Sequence, residues 1–324
     1  MKKFNKILIL TVVLLLLTTM LIGCSQNKDA GLSRQQISIG TAGTSGTFYI
    51  MGAGFADLIN KELGINSVAE VTGGSVENIK LIGDKKIEMG VTQVDVALNA
   101  LKGEKEFDEP IEVNAVVPMY PNVVQIVTLK DSDINSFSDL RGKRVSVGSP
   151  GSGILATNEI ILETLGLSLD DIKPEYLSFS ETTEAFRNGT IDAAIVNTAA
   201  PAPWIVDLET THPVKLIPLT AEEIAKFTSE PYFVEAVIDK DAYNSIDEDI
   251  PTFAVWITLV ADPDLPEDLV YDVCKTIMEN QDYLKDVHVV SKYVILDNVK
   301  QIEGIPYHPG AIKYFEEQGI EFDN

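Results

Sequence analysis

Cysteine, histidine, tryptophan and arginine are scarce in this 324-residue chain, with two, three, two and four copies. His212, His288 and His308 stand far apart, and none has metal-ligand spacing with a cysteine or another histidine. Neither a metal site nor a cofactor is therefore expected. Cys274 falls in a helical pattern, Leu269 to Met278, and reads as a small buried hydrophobe. With only Cys24 besides it, a disulfide framework is excluded. Positive charge is scarce too: 25 basic residues face 49 acidic ones, a net charge of −24. That balance excludes nucleic acid as a partner, because phosphate backbones select basic surfaces. The acidic tracts, such as Glu104 to Glu109 and Glu181 to Glu184, read as solvated faces. Catalytic signatures are missing as well. Gly43-Thr44-Ser45-Gly46 is not a nucleophile elbow, and Gly40, Gly43 and Gly46 have the wrong spacing for a dinucleotide loop. The chain reads as a non-enzyme.

Long hydrophobic runs are absent except for one. Lys2, Lys3 and Lys6 precede the uncharged stretch Ile7 to Ile22, which is about sixteen residues long. A membrane span needs about 20, so the stretch fits a signal-peptide core better. It ends in Leu21-Ile22-Gly23-Cys24, which resembles the lipobox of bacterial lipoproteins. The resemblance implies a signal peptide over 1–23, a lipidated Cys24, a polar tether over 24–35 and an extracytoplasmic domain anchored to the cell membrane.

What is abundant is repetition. Ile37-Ser38-Ile39-Gly40 leads into a Gly/Ser/Thr loop and a long apolar-periodic segment, and Val145-Ser146-Val147-Gly148 does the same. In each half a short helix and an apolar strand follow, at Ser75 to Gln93 and at Ser180 to Asn197. Strands alternating with helices predict two α/β lobes with mostly parallel sheets. Ile111 to Val117 and Val123 to Leu129 read as two strands. Phe253 to Val260, paired with the latter, would form a double crossover between lobes, with Tyr232 to Ile238 as the rival. The expected lobes are 36–126 with 256–324, and 127–255.

Two lobes face their loops toward each other, which is the architecture of a small-molecule cleft. Gly, Ser and Thr let backbone N–H groups converge, and a helix N-terminus carries about half a positive charge. Thr44, Ser45, Gly46 and Thr47 supply such groups from one lobe, and Pro150, Gly151, Ser152 and Gly153 from the other. A carboxylate-bearing ligand held there needs no arginine, and none of the four arginines lies in these loops. Phe48 and Tyr49 are placed to stack on a ligand or to pack in the core. Ser75 is expected to cap its helix, with Gly74 and Asn78 beside the cleft. Gln93, Asp95 and Asn197 stand at strand C-termini, where open α/β sheets bind ligands. Asp95 is placed either to pair a ligand ammonium or to cap the next helix. Pro201 is a candidate cleft wall.

The run of motifs resembles the TAXI group of TRAP-transporter solute receptors. It comprises Phe48-Tyr49, Thr72-Gly73-Gly74-Ser75-Val76-Glu77-Asn78, Thr92-Gln93-Val94-Asp95, Gly142 to Gly153, Gly189 to Ala193 and Pro306 to Ala311. The resemblance covers nearly the whole chain after the tether. It implies a type II periplasmic-binding fold and an extracytoplasmic receptor that passes a small anionic or zwitterionic ligand to a TRAP-type permease; a ligand-sensing lipoprotein that signals through a membrane partner is the alternative, and a monomer is expected. Small carboxylates and amino acids such as glutamate or glutamine are the ligands it implies.

Overall fold

The computed structural model describes residues 36–322, so the signal-peptide, lipobox and tether readings, including Cys24, lie outside the described residues. The internal repeat is a topological one. β1 (Ile37–Gly40), α1 (Thr47–Leu58), β2 (Ser67–Glu70), α2 (Ser75–Gly83) and β3 (Met89–Gln93) form one β-α-β-α-β unit. Helix α3 (Val94–Lys102) leaves it, and β4 (Asn114–Leu129) crosses to the second unit. That unit comprises β5 (Arg144–Ser146), α4 (Gly153–Thr164), β6 (Lys173–Glu175), α5 (Phe179–Arg187) and β7 (Ala193–Thr198). The chain then forms α6 (Pro203–Glu209), β8 (Val214–Leu216), α7 (Ala221–Phe227) and β9 (Phe233–Ile238). It returns along β10 (Ile250–Ala261) and closes with α8 (Glu267–Glu279), α9 (Gln281–Val287) and α10 (Pro309–Glu317).

The strand order is β2-β1-β3-β10-β4-β7-β5-β6, with β8 on β4 and β9 on β10. Pairing is parallel within each unit, β1 to β2 and β3, β5 to β6 and β7. It is antiparallel wherever the two long strands join. This is a mixed α/β, periplasmic-binding-protein-like fold with two lobes joined by two crossover strands, β4 and β10. The rival segment became β9, which pairs only with the first half of β10.

Several sequence readings change. The two strands expected over 111–117 and 123–129 are the single 16-residue strand β4. Pro118 and Pro121, neither of which has an N–H to donate, lie in the gap between the two expected strands. The strand survives because the ladder to β10 shifts register between Trp256 and Thr258, opposite those prolines. No loop separates β3 from α3: Gln93 ends the strand and Val94 starts the helix. Ser75 is not the cap of α2. Gly74 occupies that position, and the Ser75 hydroxyl instead accepts from the Gln93 N–H at 3.2 Å.

Two buried asparagines tie helices to strand ends. Asn78 Nδ2 donates to the carbonyls of Thr41 and Val91, both at 2.8 Å. In the second lobe Asn158 Nδ2 donates to Val147 and Ile195. Each satisfies carbonyls that the sheet leaves free where the strands diverge. Gly40 is required by this clamp, since a Cβ there would stand 2.5 Å from Asn78 Oδ1. Asn78 is thus an internal strut and does not reach the cleft. Cys274 is fully buried against Val116, and burial pushes its thiol well above the usual range. Among the described residues no helix is long and apolar enough to cross a membrane, and no cluster of acidic, His or Cys side chains is arranged to hold a metal.

Candidate functional site

The loops after β1, β2 and β3 face those after β5, β6 and β7 across a narrow cleft. Lobe one contributes Ser45, Gly46, Thr47 and Phe48 from the start of α1, Gly74 and Ser75 from the start of α2, and Gln93. Lobe two contributes Ser152 and Gly153 from the start of α4, and Asn197 from β7. These predicted residues the structure brings together. Thr44 is exposed and Tyr49 half-exposed, and both lie outside the lining. Pro150 and Gly151 sit at the rim against α2, where the Gly151 carbonyl accepts from the Glu77 N–H at 3.2 Å. Pro201 and Asp95 also lie outside the lining.

The four helix N-termini that meet here are not equivalent. Those of α1 and α2 begin at Gly46 and Gly74, and neither has a side-chain cap. Those of α4 and α5 are closed by their own serines: Ser152 accepts from the Leu155 N–H, and Ser178 with Glu181 forms a capping box. Serine or threonine caps satisfy amides that otherwise look for another acceptor. The anion-binding capacity expected of both lobes is therefore concentrated on lobe one. Three buried polar atoms around the cleft have no partner: Thr47 Oγ1, Asn122 Oδ1 and Asn197 Nδ2. Buried groups of this kind are normally satisfied.

The sequence missed Asn122 and the segment Leu177-Ser178-Phe179, all of which line the cleft. Asn122 falls in the gap between the two strands expected over 111–117 and 123–129, so it was not read as part of a strand facing the cleft. Ser178 and Phe179 occupy the repeat position of Gly74 and Ser75, and the helix starts at Phe179, one residue before the start assigned to Ser180. Phe179 stacks on Trp204, with centroids 5.6 Å apart, so the wall is backed by core.

The floor is a polar seam between lobes. Gln93 Nε2 donates to Asn197 Oδ1 at 2.8 Å. Thr157 Oγ1 lies 2.9 Å from Gln93 Oε1, 2.8 Å from Asp95 Oδ2 and 3.0 Å from the Gly153 carbonyl. One hydroxyl proton cannot serve three acceptors. Burial pushes the Asp95 carboxyl up to about 6, against the opposing effects of the Thr157 bond and the Val96 N–H. Asp95 is therefore neither exposed to the cleft nor a helix cap; it is a buried member of the seam.

With this geometry in view, the relatives can be placed. Three solved structures superimpose at a TM-score of 0.51. One is the binding protein component of an ABC phosphonate transporter from Pseudomonas aeruginosa, 14% identical, covering 88% of this chain and 95% of its own. Another is an ancestral arginine-binding protein bound to arginine, 15% identical, covering 81% and 99%. The third is the substrate-binding protein of an amino acid ABC transporter, 15% identical, covering 80% and 100%. At these identities the likeness is one of fold. The family match is broader, running over residues 39–319, which takes in both lobes and every loop of the cleft: the chain belongs to the NMT1-like family.

Proposed function

We propose that this protein is an extracytoplasmic solute receptor that closes two lobes on a small carboxylate or amino acid and delivers it to a membrane permease. The observation that carries the reading is the cleft itself. Two uncapped helix N-termini and unpartnered buried Thr47, Asn122 and Asn197 atoms surround a space bridged by lobe-to-lobe hydrogen bonds. The lobes in this reading are 36–126 with 256–324, and 127–255. Lipidation of Cys24 would hold the protein at the membrane, since two or three acyl chains give stable anchoring. The resemblance of its motifs to TAXI receptors makes a TRAP-type, ion-gradient-driven permease the partner. The structural neighbours named for ABC transporters favour a second reading, an ATP-driven permease.

Uptake into membrane vesicles distinguishes the two. Membrane vesicles carrying a candidate TRAP-type or ABC-type permease are supplied with labelled ligand on the outside, with and without this protein. Accumulation that needs an imposed sodium or proton gradient and no ATP is the expected result. A requirement for ATP would replace the TRAP partner by an ABC one, and accumulation indifferent to the protein would remove the receptor reading.

A further inference from the structure

The lining of the cleft contains no Asp, Glu, Lys, Arg or His among the described residues. This is unusual for a site on a chain with so many charged side chains, and it restricts the ligand. One negative charge is provided for, chiefly by the uncapped first turn of α1 with the free Asn197 Nδ2 and Thr47 hydroxyl, and less by α2, whose Glu77 N–H is taken by the Gly151 carbonyl and whose first turn carries the Glu77 carboxylate. A second negative charge is less well provided for: Ser152 already takes the Leu155 N–H of α4, and Ser178 with Glu181 caps α5 and places a carboxylate in its first turn. An ammonium is not provided for. It carries three N–H donors and a full charge. Among buried side-chain atoms of the lining, the unpartnered acceptors are the single amide oxygen Asn122 Oδ1 and the Thr47 hydroxyl oxygen. The nearest seam carboxylate, Asp95, is 3% exposed and committed to Thr157 beneath the floor. Burying a charge without an opposite partner is costly. A ligand hydroxyl has one proton, and Asn122 Oδ1 is one acceptor. The remaining wall, Phe48, Ile154, Leu177 and Phe179, is apolar and suits a hydrocarbon tail.

We infer that the ligand is a monocarboxylate with a compact apolar tail and a neutral oxygen substituent near the carboxylate, in preference to an amino acid or a dicarboxylate. This rests on the receptor reading and narrows it. The carboxylate sits chiefly on the α1 N-terminus, the neutral oxygen faces Asn122, and the tail lies against Phe179.

Calorimetry with matched ligands tests it on the whole protein. 2-Hydroxy-4-methylpentanoate is compared with leucine, and both with 2-oxoglutarate and glutamate. The hydroxy acid is expected to bind at least about tenfold more tightly than leucine and than either dicarboxylate, a margin of about 1.4 kcal/mol. Leucine, glutamate or 2-oxoglutarate binding as tightly as the hydroxy acid would overturn the inference and leave the receptor reading standing. If no carboxylate binds at millimolar concentration, both fall. Asn122→Asp supplies the missing negative charge. Within that variant the ratio of hydroxy-acid to leucine affinity is expected to fall by about tenfold. Because the ratio is read within one protein, a general loss of stability does not move it. An unchanged ratio would mean that residue 122 does not face the ligand's substituent, and would overturn the assignment.

Discussion

Gly153→Val is expected to weaken ligand binding by about 100-fold or more, about 2.7 kcal/mol, while leaving the melting temperature of the unliganded protein nearly unchanged. Gly153 is the first residue of α4 and meets the opposite lobe. A Cβ there would stand 2.5 Å from Gln93 Nε2 and 2.7 Å from Ser75 Oγ, both on lobe one. Its backbone does not need glycine's left-handed region, so each lobe folds around valine without strain. What the side chain prevents is approach of the lobes. Gly151 makes the contrast. It has φ +79°, and the nearest atom to a Cβ is Glu77 Cβ at 3.5 Å. Gly151→Ala should therefore cost stability through backbone strain and leave affinity little changed. Calorimetry and thermal melts on the two variants separate these effects. Wild-type affinity in Gly153→Val would mean that ligand binds without the lobes meeting.

The second large effect is on pH dependence. Asp95 is buried, and its carboxyl is raised from the ordinary 3.8 to about 6. Desolvation is the main cause, Thr157 and the Val96 N–H oppose it, and nearby Glu106 adds repulsion. Tyr232 also lies within electrostatic reach. The folded, closed protein binds a proton here more tightly than the unfolded chain does. The neutral form thus carries no penalty below pH 3.8. A penalty grows as pH rises from there and is complete above about pH 6. Protonated Asp95 also resolves the proton shortage at Thr157: it donates to Thr157 Oγ1, which donates onward to Gln93 or Gly153. Asp95→Asn mimics that state. With ligand saturating, so that the lobes are closed over Asp95, it is expected to raise the melting temperature relative to wild type at pH 8 and to change it little at pH 4. The exposed carboxylates held low by partners, such as Asp139 and Asp171, titrate alike in both proteins and cancel in the difference. A variant less stable than wild type at pH 8 would show that ionised Asp95 is stabilising.

Much of this fold was legible because hydrophobic period and loop chemistry coincide in both repeats. Ile37 and Ile39, and Val145 and Val147, are each followed by Gly/Ser loops, and each pair is fully buried. Strand β4 was misread as two strands with Pro118 and Pro121 in the gap between them, a gap that the neighbouring strand's register shift closes. The site was half legible. Loops at helix starts announce backbone donors, so Gly46, Gly74 and Gly153 were found. Asn78, Asp95 and Gln93 looked alike in sequence, as polar residues near strand ends. Only the packing separates the strut, the buried seam and the cleft floor. The difference between capped and uncapped N-termini was equally hidden, since Ser75 and Ser152 occupy similar loops but only Ser152 accepts from its own helix.

In the proposed receptor, ligand is enclosed where the Thr47 and Ser152 loops meet. Small-angle X-ray scattering on the protein with and without saturating ligand tests it most directly, because closure of two lobes changes the radius of gyration itself. The account predicts a smaller radius with ligand for the wild-type protein and no change for Gly153→Val. Superimposable wild-type curves, with binding verified by calorimetry on the same sample, would contradict it.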